Sequence, residues 1–163
     1  MLNEPDFARV VLVVSNSAKA PALLRARRAG VATLVSSPLN WTAIHRELQT
    51  HRVQRIFLAG FMRILPEDFV NQWQGRILNI HPSLLPAYPG LNSIERAYRD
   101  AADIGATVHE VTAVVDAGRV VAQGLVLEGQ QAKKLSIEDV ELRVHLEEHR
   151  LLRRAIRQGR GNS

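Results

Sequence analysis

An amide and an imidazole stand two residues apart, at Asn79 and His81, in the run Ile77-Leu-Asn-Ile-His-Pro-Ser-Leu-Leu-Pro-Ala-Tyr-Pro-Gly-Leu91. The two groups cover what a carbonyl reaction needs. An amide N–H stabilises negative charge developing on oxygen, and an imidazole moves protons near neutral pH. If Ile77–His81 is a strand, its period of two sends both side chains off one face. Pro82 and the turn-rich Pro86, Pro89 and Gly90 stop that strand at once, which puts the pair at a strand's carboxyl end, where open parallel sheets bind ligands. A carboxylate, Asp116, follows in Val-Val-Asp-Ala-Gly118. Residue types alone also allow a satisfied polar pair at Asn79 and His81, a turn aspartate at 116 and a core histidine at His109.

The elements that must position these groups alternate along the first half. Arg9–Val14 reads as a strand, Ala18–Ala29 as a helix closed by Gly30, Val31–Val35 as a strand, and Asn40–His51 as a helix capped by Asn40. Arg55–Gly60 is a third strand, Pro66–Trp73 a short helix with proline at its first turn, and Arg76–His81 a fourth strand. Such alternation predicts parallel pairing with right-handed crossovers, an α/β doubly wound sheet. After a helix over Asn92–Ala102 the pattern changes. Two β-rich runs, Ala106–Thr112 and Arg119–Leu127, predict an antiparallel pair with Asp116 in its connecting loop. Ser136, three residues before Asp139, resembles a capping box and opens one long helix to about Gln158, ahead of a Gly/Arg tail.

That helix carries an anomaly. Ile137, Val140, Val144, Leu151 and Ala155 form a stripe at helical spacing, and Glu148 falls inside it where an apolar residue is expected. The carboxylate either reaches solvent or an Arg at the edge, or hydrogen-bonds a ligand at the rim of the sheet. Arg150, Arg153, Arg154 and Arg157 occupy the opposite face.

Bulk properties narrow the class. With 163 residues and 46% hydrophobic content the chain can bury one sizeable core, so residues 1–163 are expected to form a single domain. The absence of cysteine excludes a disulfide framework, a thiolate metal site and a thiol nucleophile, and no metal is expected. The formal charge of +5 suits an anionic partner, but only three of the 21 basic residues are Lys, a bias that genome composition can produce, so nucleic acid is not the expected ligand. The apolar run Val10–Val14 is far too short to span a bilayer and no leader-like segment precedes it, so a cytoplasmic protein without a membrane partner is expected.

Four blocks closely resemble the phosphoribosylglycinamide formyltransferase family in order and spacing: Leu58-Ala-Gly-Phe-Met-Arg-Ile-Leu65, Leu78-Asn-Ile-His-Pro-Ser-Leu-Leu-Pro-Ala-Tyr-Pro-Gly90, Gly105-Ala-Thr-Val-His109 and Asp116-Ala-Gly118. The likeness extends to Ser15-Asn16, Ala26-Arg-Arg-Ala-Gly30 and Glu148-His149. It implies a formyltransferase-type, mainly parallel doubly wound sheet with an antiparallel carboxyl-terminal strand pair and a long carboxyl-terminal helix. It also implies transfer of the formyl group of 10-formyltetrahydrofolate, a co-substrate, to the amine of glycinamide ribonucleotide. On this resemblance Asn79, His81 and Asp116 are the catalytic trio. Met62, Arg63, Ile64 and Leu65, with Asn79, hold the folate; Glu148 and Pro82 belong to the nucleotide substrate's site. The partners would be small molecules, an anionic nucleotide and a folate, and homo-oligomerisation is left open.

The chain also departs from the family pattern. Its first strand resembles the family's second, so a first βα unit of roughly 25 residues, with a Gly-rich phosphate loop, is expected to be missing. That loss should leave a gap in the sheet or force neighbouring strands to pair. Asn92 and Ile94 replace two histidines, Arg119 replaces a proline, and Ala106 precedes Thr107 where Thr-Ser is usual. The additional domains of methionyl-tRNA formyltransferase and of formyltetrahydrofolate deformylase are not expected here. The alternative is a catalytically impaired or non-catalytic folate-binding relative.

Overall fold

The computed structural model describes residues 3–4 and 8–158. The chain divides into two compact units, Met1–Gln54 and Arg55–Ser163. The Gly/Arg tail lies outside the described residues.

The first unit holds β1 (Asn3–Glu4) and β2 (Ala8–Arg9), paired antiparallel, then β3 (Leu12–Ser15), α1 (Pro21–Arg28), β4 (Ala32–Val35) and α2 (Trp41–Thr50). β3 and β4 are parallel, from Leu12 opposite Ala32 to Ser15 opposite Val35. α1 packs on both and buries Leu23 and Ala26. The expected strand Arg9–Val14 is thus split, with only Leu12 onward in the parallel ladder. Asn40 caps α2 as predicted, its Oδ1 accepting the Ala43 N–H at 3.0 Å.

The second unit is built on a four-stranded sheet in the order β5 (Ile56–Leu58), β6 (Ile77–His81), β7 (Ile104–Glu110), β8 (Val120–Leu127). β5 and β6 are parallel, with α3 (Glu67–Gln72) between them in sequence. β7 and β8 form the predicted antiparallel pair, and β7 also runs antiparallel to β6. The helix between β6 and β7, α4 (Ser93–Arg99), is therefore not a crossover. A short α5 (Gly129–Ala132), unforeseen from sequence, precedes α6 (Ile137–Gln158). Ser136 starts α6, its Oγ accepting the Asp139 N–H at 3.2 Å. β3 with β4 and β5 to β8 form separate ladders.

Sidedness follows from the period of two. Leu78, Ala106, Val108 and Ala122 turn to one face and form the core with Val140, Val144, Leu151 and Ala155 of α6. Asn79, His81, Thr107 and His109 turn to the other, since Asn79 lies opposite His109 and His81 opposite Thr107. Among the described residues no helix is long and apolar enough to cross a membrane.

Leu151 is 2% exposed in this core. Leu151→Ala should destabilise the protein by about 2–5 kcal/mol in urea titration; a smaller loss would mean that α6 is not anchored through this stripe.

Candidate active site

β6 delivers Asn79 and His81 to one face, and the cross-strand register brings His109 of β7 beside Asn79. Asn79 Nδ2 lies 3.3 Å from His109 Nε2. His109 Nδ1–H donates to the Glu110 carbonyl at 2.9 Å, which leaves Nε2 bare to accept from the Asn79 amide. One amide hydrogen is thereby engaged and the other is left to donate elsewhere. A register shift between Val108 and His109 on the β7–β8 ladder is an irregularity of the kind that re-aims side chains next to sites.

The loop after β7 folds back over this face and inserts Asp116, whose side chain is only 7% exposed. Oδ2 lies 3.4 Å from His81 Nδ1 and accepts the Gly90 N–H at 2.8 Å, while Oδ1 lies 3.4 Å from His109 Nε2. On its other side His81 Nε2 meets the Tyr88 carbonyl at 3.0 Å. A carbonyl only accepts, so the hydrogen is on Nε2 and Nδ1 faces the carboxylate. A second proton on His81 would sit between imidazole and carboxylate, the arrangement of an acid–base pair.

The two histidines differ in character. Burial pushes His109 below its usual 6.5, against the opposing pull of the Glu110 carbonyl and the Asp116 carboxylate. At neutral pH His109 is therefore uncharged, and its approach to Asp116 is a polar contact, not an ion pair. His109 belongs to this network as the group that orients Asn79. Residue types alone also allow a core histidine here, and the Asn79–His109 register distinguishes the two.

Backbone conformation is unusual around this cluster. Tyr88, Asn92 and Asp116 all have left-handed φ, between 53° and 54°, in the loops around it. For non-glycine residues this costs of order 1–3 kcal/mol each and is found where surrounding structure enforces it. Gly118 enables the return of the loop, because a Cβ there would stand 1.7 Å from the Glu110 carbonyl oxygen.

The other expected site residues are distributed as follows. Met62–Leu65 leaves the carboxyl end of β5, where Leu58 pairs with Asn79, so the segment emerges at the same end of the sheet as the trio. Met62 and Ile64 are each 79% exposed and Arg63 is exposed, whereas Leu65 is buried. Pro82 is half-buried and its carbonyl accepts from Ser93 Oγ at 3.3 Å. Glu148 is half-buried on α6, the helix covering the opposite face, and accepts from His145 Nδ1 at 2.8 Å. The trio is thus brought together; Glu148 is not among its hydrogen-bond partners. Of the departures, Ile94 and Ala106 lie in the apolar core, and Arg119 pairs with Glu110.

The model of the Formyl transferase family matches residues 2–156. The chain belongs to this family. It is 40% identical over 92% of its length to the Trifunctional purine biosynthetic protein adenosine-3 of Drosophila pseudoobscura pseudoobscura, of which it spans only 11%. It is 40% identical to the Phosphoribosylglycinamide formyltransferase of Haemophilus influenzae, over 88% of this chain and 70% of that one. Among solved structures, glycinamide ribonucleotide transformylase 1 from Symbiobacterium toebii superposes with a TM-score of 0.82 at 42% identity, covering 91% of this chain and 73% of that one. The family match runs through both compact units.

A histidine kept neutral by burial sets a stability slope. Its folded pKa lies below the unfolded value, so the unfolded chain takes up a proton first, and stability falls as pH drops from about 6.5 toward the folded value. Urea denaturation at pH 7.5 and 5.5 should show a loss that shrinks in His109→Gln. An undiminished loss would mean that His109 does not contribute to that slope.

Proposed function

We propose that this protein transfers the formyl group of 10-formyltetrahydrofolate to the primary amine of glycinamide ribonucleotide. The observation that carries the reading is the continuous polar network Asn79–His109–Asp116–His81 on one face at the carboxyl end of β6. The amine nitrogen attacks the formyl carbon, the new C–N bond gives a tetrahedral intermediate, and collapse breaks the bond to N10 of the folate while the amine's proton passes to N10. The remaining amide hydrogen of Asn79 is the donor for the oxyanion. His81 adds positive charge beside that oxygen when doubly protonated, and Asp116 holds its ring in place and receives protons.

Two further features support the assignment. Met62 and Ile64 present exposed apolar side chains that suit the flat apolar face of a pterin, with Leu65 buried behind them. Glu148 is assigned to the ribose and Pro82 to the nucleotide's surroundings, on their correspondence to the family motif. Residues 1–163 are read as one formyltransferase-like domain, and small soluble substrates of this kind fit the cytoplasm. No metal enters this scheme.

The test is to mix the two substrates with purified protein and follow the folate absorbance. Turnover is expected, and Asn79→Ala and His81→Ala should each lower kcat by about 10²–10³-fold. Calorimetry with a folate analogue should show binding that Ile64→Asp weakens by about tenfold or more while leaving thermal stability intact. Binding without turnover would replace catalysis by folate binding alone; neither binding nor turnover would end the folate reading.

A further inference from the structure

The His81–Asp116 pair is held by backbone from one short segment. Tyr88 offers its carbonyl to His81 Nε2 at 3.0 Å, and Gly90 offers its N–H to Asp116 Oδ2 at 2.8 Å. Whatever fixes Tyr88-Pro89-Gly90 therefore fixes both members of the pair. Pro89, between them, has no N–H, so its carbonyl is its one backbone hydrogen-bonding group. That carbonyl accepts from Arg96 Nη2 on α4.

Arg96 makes a second contact with the same segment. Its guanidinium carbon lies 5.7 Å from the centroid of the Tyr88 ring, within cation–π range. The Tyr88 hydroxyl in turn donates to Asp100 Oδ2 at 3.2 Å, and Arg96 and Asp100 are one helical turn apart. α4 thus grips Tyr88 by its ring and its hydroxyl, and Pro89 by its carbonyl. Arg96 Nε, moreover, is buried without a hydrogen-bond partner. An arginine that merely solvated the surface would keep that N–H in water; here desolvation is accepted to hold this geometry. A guanidinium can face a ring while another of its N–H groups donates elsewhere, and an ammonium does not reproduce that fixed fork in full.

We propose that Arg96 is a positioning residue that sets the orientation and tautomer of His81 through the Tyr88–Pro89 backbone. This rests on the formyl-transfer reading of the same site. With the segment clamped, the Tyr88 carbonyl keeps a hydrogen on Nε2 and turns Nδ1 to Asp116. With the clamp removed, the left-handed Tyr88, at φ 53°, is free to relax and His81 loses its acceptor.

The experiment compares wild type, Arg96→Ala and Arg96→Lys by steady-state kinetics and by ¹⁵N NMR of the histidine rings in the full chain, with His81→Gln used to assign the His81 signals. In wild type, His81 should show a protonated Nε2. Arg96→Ala should shift the His81 ring nitrogens toward a tautomer mixture and lower kcat by about 10- to 100-fold, with the KM for the folate within about twofold. Arg96→Lys, which still donates to Pro89, should recover most of both. Unchanged His81 nitrogens in Arg96→Ala would overturn the proposal, whatever happens to kcat, since a general loss of stability would leave the tautomer alone. The NMR arm also separates the two readings: if wild type transfers no formyl group, the functional reading fails, while the His81 signals still decide whether Arg96 orients the ring.

Discussion

A carboxylate enclosed on nearly every side is the constraint around which the candidate site is organised. Asp116 is reached by two imidazoles and one backbone N–H, and its side chain is almost sealed from solvent. A charge so placed is costly unless polar groups surround it; the Gly90 N–H donates to it, and a second proton on His81 would lie against it. The loop from β7 must double back to deliver it, which needs the left-handed backbone at Asp116 and the missing side chain at Gly118. The segment Tyr88–Gly90 must lie over the strand end to supply Gly90's donor and Tyr88's acceptor. Asn79 is oriented at one remove, through His109.

The sheet keeps this polar cluster apart from the apolar core by strand alternation alone. One set of residues on β6 and β7 packs under α6; the alternate set carries amide, hydroxyl and imidazole groups. Thr107 shows how the polar face is tied to the loops above it. It is fully buried, donates to the Ser83 carbonyl at 2.7 Å, and accepts from Leu85 N–H at 3.1 Å and from Gln123 Nε2 at 2.8 Å. The rigid core and the strained loops are therefore joined through hydrogen bonds, which suits a site whose donors must be in place before charge develops.

Much of this was legible in the chain. The two-residue spacing of Asn79 and His81, with Pro82 at once behind, was sufficient to predict a same-face pair at a strand end, because both inferences use only local period and backbone chemistry. The parallel β3–β4 and β5–β6 pairs and the β7–β8 hairpin also follow from local patterns. The role of His109 does not, since it depends on which residue of β7 falls opposite Asn79, and register between distant segments leaves no local trace. The antiparallel setting of β7 against β6 was hidden by α4, since a helix between two strands reads from local pattern as a crossover whichever way the second strand runs. Glu148 stands out in sequence as a carboxylate inside an apolar stripe, yet its neighbour Glu147 is also half-buried, with its carboxylate over Gly124, where a Cβ would come within 2.6 Å of Oε1. Helical spacing cannot say which of two adjacent residues a ligand would use.

The most direct measurement of the central claim is single-turnover formyl transfer by Asp116→Asn beside wild type, with folate affinity measured in parallel. Asparagine keeps the size of the side chain and removes the charge that holds His81. The rate should fall by about 10²–10⁴-fold while folate affinity is retained. A variant that transfers the formyl group as fast as wild type would contradict the account.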